Sequence, residues 1–260
     1  MRCPRRFFYR YHLGWKPDST SHHLVWGEAL HRILGAWFSY DYTCDDHIAA
    51  CLQLGQEYYR EHFGPEDDEA NLPKTYAALE TCFADYRRLN AAEDDQYTTL
   101  AVEIGFKLEI DLGVWLTGRM DRIAQERETG DLIVQDHKSA SKLPDQKGIN
   151  QYQLSPQAAT YLTALKRKYP EHHVREFQVD VIVPRIPTSK LTTGLQRIAV
   201  QLSDEQLELW REETRLLEKE ISFSRMQFPG INRPMAESVL MYNFRRNPTS
   251  CYDYATLCSY

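Results

Sequence analysis

The sequence predicts an α/β (α+β) chain in which helices come first and strands carry the chemistry. Three observations predict it. Residues 24–40, 45–62 and 74–90 follow helical periodicity; Val102 to Leu112 alternates strictly between apolar and polar residues; and the run Leu132-Ile133-Val134 passes directly into Asp136-His137-Lys138.

Bulk properties narrow the class. A chain of 260 residues that is 42% hydrophobic and 26% charged can bury a substantial core and is not wholesale disordered. No apolar run approaches the roughly 20 residues of a membrane helix, and Met1-Arg2-Cys3-Pro4 is no signal peptide. The expectation is a cytosolic or nuclear protein, or a viral product in a host cytosol, with free or metal-bound cysteines rather than disulfides. The net charge of -6 argues against a uniformly basic surface. Arg2, Arg5, Arg6, Arg10 and Lys16 nevertheless precede the first acid, Asp18, while acidic clusters at Glu66–Glu69 and Glu93–Asp95 suit solvated loop tips.

Taken in order, Cys3 to Tyr11 mixes arginines with aromatics. It suits either a short helix with aromatic anchors or a phosphate-contacting edge beside a cysteine ligand. Leu30, Ile33, Leu34 and Trp37 mark one side of the first long helix, where Gly27 and His31 lie one turn apart. Two further helices, separated by a break at Gly64-Pro65, carry no recognisable chemistry, and Cys44, Cys51 and Cys82 read there as small apolar residues. After the alternating strand, Gly113 permits a bend and Val114 to Ala124 returns with Asp121 on it. Asp131 to Lys138 reads as a third, central strand, apolar at its start and polar at its end. A polar loop with Lys142 and Lys147 precedes a helix over 156–169. Val174–Val183 and Leu191–Leu202 read as strands around a Pro184–Pro187 turn. Ser203-Asp204-Glu205-Gln206 reads as a capping box opening a helix to about Phe223.

The chemistry gathers around Asp121 to Lys138. Successive side chains on a strand alternate faces, so Asp136 and Lys138 point the same way. Carboxylates with an ammonium suit a divalent cation and a phosphodiester. Asp121 and Asp136 are the expected ligands, with the backbone carbonyl of His137 and with His31 completing the shell. Lys138 is expected to orient or deprotonate the water and stabilise the phosphate, and Gln157 and Tyr161, four apart on the next helix, to line the pocket. An Asp-x-Lys by itself is more often a solvated strand end. The weight lies in the order: helical Gly-x-x-x-His, strand Gly-x-x-Asp, strand Asp-x-Lys, helix Gln-x-x-x-Tyr.

Those four motifs, with Cys3-Pro4-Arg5-Arg6-Phe7 at the start, resemble the RecB-like branch of the PD-(D/E)XK nuclease superfamily. That branch includes the nuclease domains of AddB and RecB, CRISPR-adaptation nucleases and many phage exonucleases. The resemblance implies a restriction-endonuclease-like core, a mixed central β-sheet flanked by helices, with an N-terminal helical elaboration. It makes 1–260 a single nuclease domain, with 24–97 the elaboration, 98–202 the catalytic core and 203–260 a helix and Cys-containing tail packing back near the N-terminus. It implies Mg2+ or Mn2+ as one or two ions, and DNA as partner, acted on at ends or single strands. Partner proteins of a recombination, repair or phage replication complex belong to the same expectation. Arg5, Arg6, Arg10 and Lys142 are the expected DNA contacts. Many members bind a 4Fe–4S cluster through four cysteines. Cys3, Cys251 and Cys258 offer three, and Tyr254 stands where another ligand would fall, so a cluster and unligated cysteines both remain open. The alternatives in function are a structure- or site-specific endonuclease on the same fold, and a catalytically idle nucleic-acid-binding scaffold. Intact His31, Asp121, Asp136 and Lys138 speak against the idle version.

Overall fold

A computed structural model of the chain describes residues 8–16, 20–39, 44–185 and 193–226. These fall into two compact units, 21–212 and a smaller one comprising 8–16, 20 and 213–226. In the smaller unit, Phe8–His12 forms a π-helical turn, and the rings of Tyr9 and Trp15 stack at 4.7 Å.

The larger unit opens with α1 (His22–Phe38), α2 (Asp45–Arg60), the short α3 (Asp67–Ala70) and α4 (Tyr76–Asp94). The strands follow as β1 (Tyr97–Asp111), β2 (Val114–Glu126) and β3 (Leu132–Ser139). Then come α5 (Gln146–Gln153), α6 (Pro156–Lys168), β4 (Val174–Pro184), β5 (Thr193–Val200) and α7 (Asp204–Met226), whose later turns belong to the smaller unit. The strands form one sheet in sequence order. Neighbouring pairs are antiparallel except β3 and β4, which are parallel. A parallel pair needs a crossover, and α5 with α6 supplies it. This is the expected mixed sheet flanked by helices.

Local chemistry accounts for the boundaries. Gly113 turns the β1–β2 hairpin with φ +73°, a conformation that costs glycine nothing. Thr75 caps α4 by accepting from the Ala78 N–H at 3.2 Å, and Ser155 caps α6 ahead of Pro156. The capping box forms as expected: the Ser203 N–H donates to the Gln206 side chain at 2.8 Å, and the Gln206 N–H donates back to Ser203 Oγ at 3.3 Å.

Two apolar clusters form the core. One joins Leu132, Val134, Val179, Val181 and Val183 with Ala158, Leu162 and Leu165 of α6. The other joins Trp26, Leu30, Ile33 and Leu34 of α1 with Tyr59, Leu79, Phe83 and Ile182. Each fully buried aliphatic side chain contributes about 1.5–3 kcal/mol of transfer free energy. Leu132, Ile133 and Val134 therefore anchor β3 in the middle of the sheet, which fixes where its polar end emerges.

Three expectations need correcting. Lys147 lies on α5, not in a loop: Asp145 caps that helix by accepting from the Gly148 N–H. Cys44 is exposed ahead of α2, whereas Cys51 and Cys82 are buried as expected. The α2–α4 region also supplies chemistry, through Tyr86. The expected Pro184–Pro187 turn runs into residues outside those described.

Candidate metal centre

The β2–β3 ladder ends at Arg122 opposite Gln135. Beyond that point no further β2–β3 pair forms, and the Asp121 carboxylate takes the place of a ladder acceptor: the backbone N–H of His137 donates to Asp121 Oδ2 at 2.7 Å. The same oxygen lies 3.2 Å from His31 Nδ1 on α1 and 3.3 Å from His137 Nδ1. Burial opposes ionisation of Asp121. Hydrogen bonds and charge from His137 and His31 outweigh it and hold the carboxyl well below its ordinary range. Burial alone would lower the His31 pKa; the hydrogen bond to Asp121 and the charges of Asp121 and Asp136 raise it instead.

A third donor was missed in the sequence. The β1–β2 register pairs Val102 with Arg122 and Ile104 with Met120, which sets Glu103 across from Asp121. Glu103 has φ 49°, uncommon for a residue with a side chain. Its stem passes where a Cβ on Gly35 would lie 3.1 Å from its Cγ. Burial, then the charge of Asp121, raise the Glu103 carboxyl, and Arg119 meets it at 2.7 Å. Counting outward from the Asp111–Val114 pair would place Ile104 opposite Asp121; the bulge between Glu109 and Asp111 shifts the register by one and brings Glu103 there instead, which the alternation alone does not reveal.

Among the described residues, His31, Glu103 and Asp121 form a group whose ligand atoms lie within 4.8 Å of one another. Two hard carboxylate oxygens and an imidazole match Mg2+- or Mn2+-like ions. Octahedral donors at such an ion stand roughly 3 Å apart, close to the 3.2 Å between His31 and Asp121. The crowding of two carboxylates, visible in the raised Glu103, is what a divalent cation would relieve. The donor set fits a metal.

Asp136 was expected as a ligand. Here its Oδ2 forms an ion pair with Lys138 Nζ at 2.6 Å, and its Oδ1 accepts from Gln157 Nε2 at 2.7 Å. Burial raises the Asp136 carboxyl against the opposing pull of Lys138. Asp136 and Lys138 thus share one face, as strand alternation requires. Gln157 also donates to the Tyr161 hydroxyl at 3.0 Å, and Tyr161 donates to the Arg119 carbonyl at 2.6 Å. Burial and the Asp136 charge push Tyr161 up to about 12, so it acts as a neutral donor. Gly27, one turn before His31, faces the strand end directly: a Cβ there would lie 3.3 Å from Ser139 Oγ.

Behind the centre lies a polar network the sequence did not reveal. The hydroxyl of Tyr86, on α4, lies 3.3 Å from His137 Nε2 and donates to Asp180 Oδ2 at 2.6 Å. Arg197 donates to both Asp180 oxygens, at 2.7 and 2.8 Å. The His137 ring is thereby fixed from behind. His137 thus meets Asp121 through both its backbone N–H and its ring.

Lys142 is exposed after β3, and Arg10 is exposed in the smaller unit. Arg5, Arg6, Cys3, Cys251 and Cys258 lie outside the described residues.

The mixed sheet gathers its acids from three strands, Glu103 of β1, Asp121 of β2 and Asp136 of β3. The family model for the PD-(D/E)XK nuclease superfamily matches residues 1–260, and the chain belongs to that superfamily. Membership implies a divalent-metal-dependent nuclease acting on nucleic acid. No curated protein matches the sequence. Among solved structures, the crystal structure of SSO0001 aligns at 15% identity over 82% of this chain and 84% of that one, with a TM-score of 0.30. No helix among the described residues is long and apolar enough to cross a membrane.

Proposed function

We propose that the chain is a Mg2+- or Mn2+-dependent deoxyribonuclease of the RecB-like kind, an exonuclease on DNA ends or single strands. One observation carries the reading: Asp121 sits between His31 and the His137 N–H, with Glu103 beside it and the Asp136–Lys138 pair on the next strand. His31, Glu103 and Asp121 would hold the ion, with Asp136 and the His137 carbonyl as further oxygen donors. Bound there, a divalent ion supplies charge neutralisation at the phosphate and a more acidic water.

The chain's own residues do the rest. Lys138, half-exposed on the face of Asp136, presents its ammonium to the phosphate and stabilises developing negative charge on its oxygens. Gln157 fixes Asp136, and Tyr161 ties that arrangement to the β2 backbone, so the acid and the lysine hold one geometry between turnovers. The Tyr86–Asp180–Arg197 network keeps His137 from turning away from Asp121.

The test uses end-labelled linear DNA and closed circular DNA, with magnesium, manganese or chelator. Metal-dependent shortening from ends without nicking of circles is the expected result. Cleavage of circles would favour the endonuclease, and no metal-dependent cleavage of any substrate would sink both. A 4Fe–4S cluster through Cys3, Cys251 and Cys258 is a separate expectation, tested by the visible absorption of anaerobically purified protein. The expected setting is the cytoplasm of a bacterial or phage-infected cell.

A further inference from the structure

A cleft of about 490 Å3 lies between the end of α1, α4 and the base of the β1–β2 hairpin. That volume suits a small ligand or a segment of a larger one. None of His31, Glu103, Asp121, Asp136 and Lys138 lines it. It is nonetheless close to the metal centre, because Phe38 in its wall stacks on the ring of His137 at 5.9 Å and 18°.

The cleft is basic in an acidic protein. Arg87, Arg88, Arg122 and Arg127 line it against Asp94 and Asp95. The charge of Asp94 is already met, by Arg122 at 3.3 Å and Arg197 at 3.0 Å. Arg88 is paired with Asp85. Arg127 Nε donates to the backbone carbonyl of Asp95, at 3.1 Å, and Arg127 pairs with no carboxylate among the described residues. Arg87 meets no carboxylate among the described residues, and its Nε is buried without a hydrogen-bond partner. Its guanidinium is held in place by ring faces instead, 5.2 Å from Trp37 and 5.0 Å from Phe83.

The arrangement selects the kind of ligand. Trp37 is covered by Arg87 and by His47, and Phe38 by Arg122 at 3.9 Å and by His137. With these ring faces taken, and Tyr97 in the same wall buried beside Arg175, the cleft offers guanidinium N–H edges rather than an open platform for stacking a base. Such edges suit the paired oxygens of a phosphate.

We propose that this cleft is an anion site, anchored by Arg87 and Arg127, that grips a non-scissile phosphate of the DNA strand. The inference rests on the nuclease reading for the source of its phosphate, not for the anion site itself. It explains how a protein of net charge -6 holds a polyanion: through a localised patch, one phosphate beyond those at the metal centre.

The experiment measures binding of a fluorescein-labelled single-stranded oligonucleotide to the full chain in chelator, so that no cleavage intervenes, across a salt series. Arg87→Ala and Arg127→Ala should each weaken binding roughly tenfold and flatten the log–log salt slope by about 0.7 per lost contact. Arg87→Lys should recover part of the loss. Arg127 is exposed, so its variant keeps the test alive if Arg87→Ala does not fold. Wild-type affinity and slope in the variants, or no binding by the wild type, would overturn the proposal. Inorganic phosphate and AMP serve as competitors. If either binds in an Arg87-dependent way while oligonucleotide affinity ignores Arg87, the cleft takes free phosphates and the strand assignment is wrong. Metal-dependent cleavage by the wild type, assayed separately, shows whether a failure belongs to the cleft or to the nuclease reading.

Discussion

The backbone N–H of His137 donates to Asp121 Oδ2 at 2.7 Å, joining β3 to β2 through a side chain where the backbone ladder has stopped. Asp121 thereby fastens the sheet and turns its acid toward His31.

The His31–Asp121 pair makes the metal-free protein's stability depend on pH in a defined direction. The His31 pKa is raised above its ordinary 6.5, so its contribution is full below 6.5 and is lost as pH rises through the folded value. The Asp121 pKa is depressed below its ordinary 3.8, so its contribution is present above 3.8 and is lost only in stronger acid. In chelator, the Tm difference between wild type and His31→Gln should be largest near about pH 5 and shrink toward about pH 9. A difference that grew with pH would contradict the pairing. Metal affinity should run the other way, rising with pH as the His31 proton ceases to compete.

Glu103 should behave as a metal donor. Glu103→Gln keeps the shape and removes the charge, and should weaken Mn2+ binding by at least about tenfold in calorimetric titration, by analogy with losses of supporting ligands. Because the change also removes repulsion from Asp121 in the metal-free state, thermal stability in chelator should hold or rise. Unchanged Mn2+ affinity would remove Glu103 from the site.

The network behind His137 should be costly to break from one side. Arg197→Ala leaves the buried Asp180 carboxylate without its guanidinium and should destabilise the fold by about 3–5 kcal/mol in denaturant unfolding. Tyr86→Phe should cost about 1–2 kcal/mol, leaving Asp180 with Arg197 but His137 without its hydroxyl partner. If Tyr86→Phe were neutral for both stability and metal affinity, the network would not position His137.

Gln157 and Tyr161 act by holding Asp136. Gln157→Leu should lower kcat roughly 10–100-fold with little change in DNA affinity, since it disturbs geometry rather than charge. Tyr161→Phe should have a smaller effect, and the wild-type pH–rate profile should show no Tyr161 ionisation below about pH 11, given its pKa near 12.

Much of this was legible in the sequence, for physical reasons that differ by residue. Strict alternation from Val102 to Leu112 marked one strand, because successive side chains on it face opposite sides, and the continuous apolar start Leu132-Ile133-Val134 marked another, because a central strand is buried on both faces. His31, Asp121, Asp136, Lys138, Gln157 and Tyr161 were found because each sits in a short local motif, and the fold brings them together. Glu103, Tyr86, Asp180 and Arg197 were missed because their meaning is non-local. Tyr86 reads as one more aromatic on a helix until α4 packs over His137, and Arg197 reads as a strand surface charge until β5 pairs with Asp180. The arginine cleft was invisible for the same reason: Arg87 and Arg127 come from a helix and a hairpin far apart in the chain.

The central claim is that an Asp121-centred metal site works with a separate lysine on the next strand. The direct measurement pairs Mn2+ titration with DNA cleavage for wild type, Asp121→Ala and Lys138→Ala. Asp121→Ala should lose metal binding and cleavage together, while Lys138→Ala should bind Mn2+ near normally and cleave at least about a hundredfold more slowly. Cleavage surviving Asp121→Ala, or metal binding lost with Lys138 alone, would contradict the account.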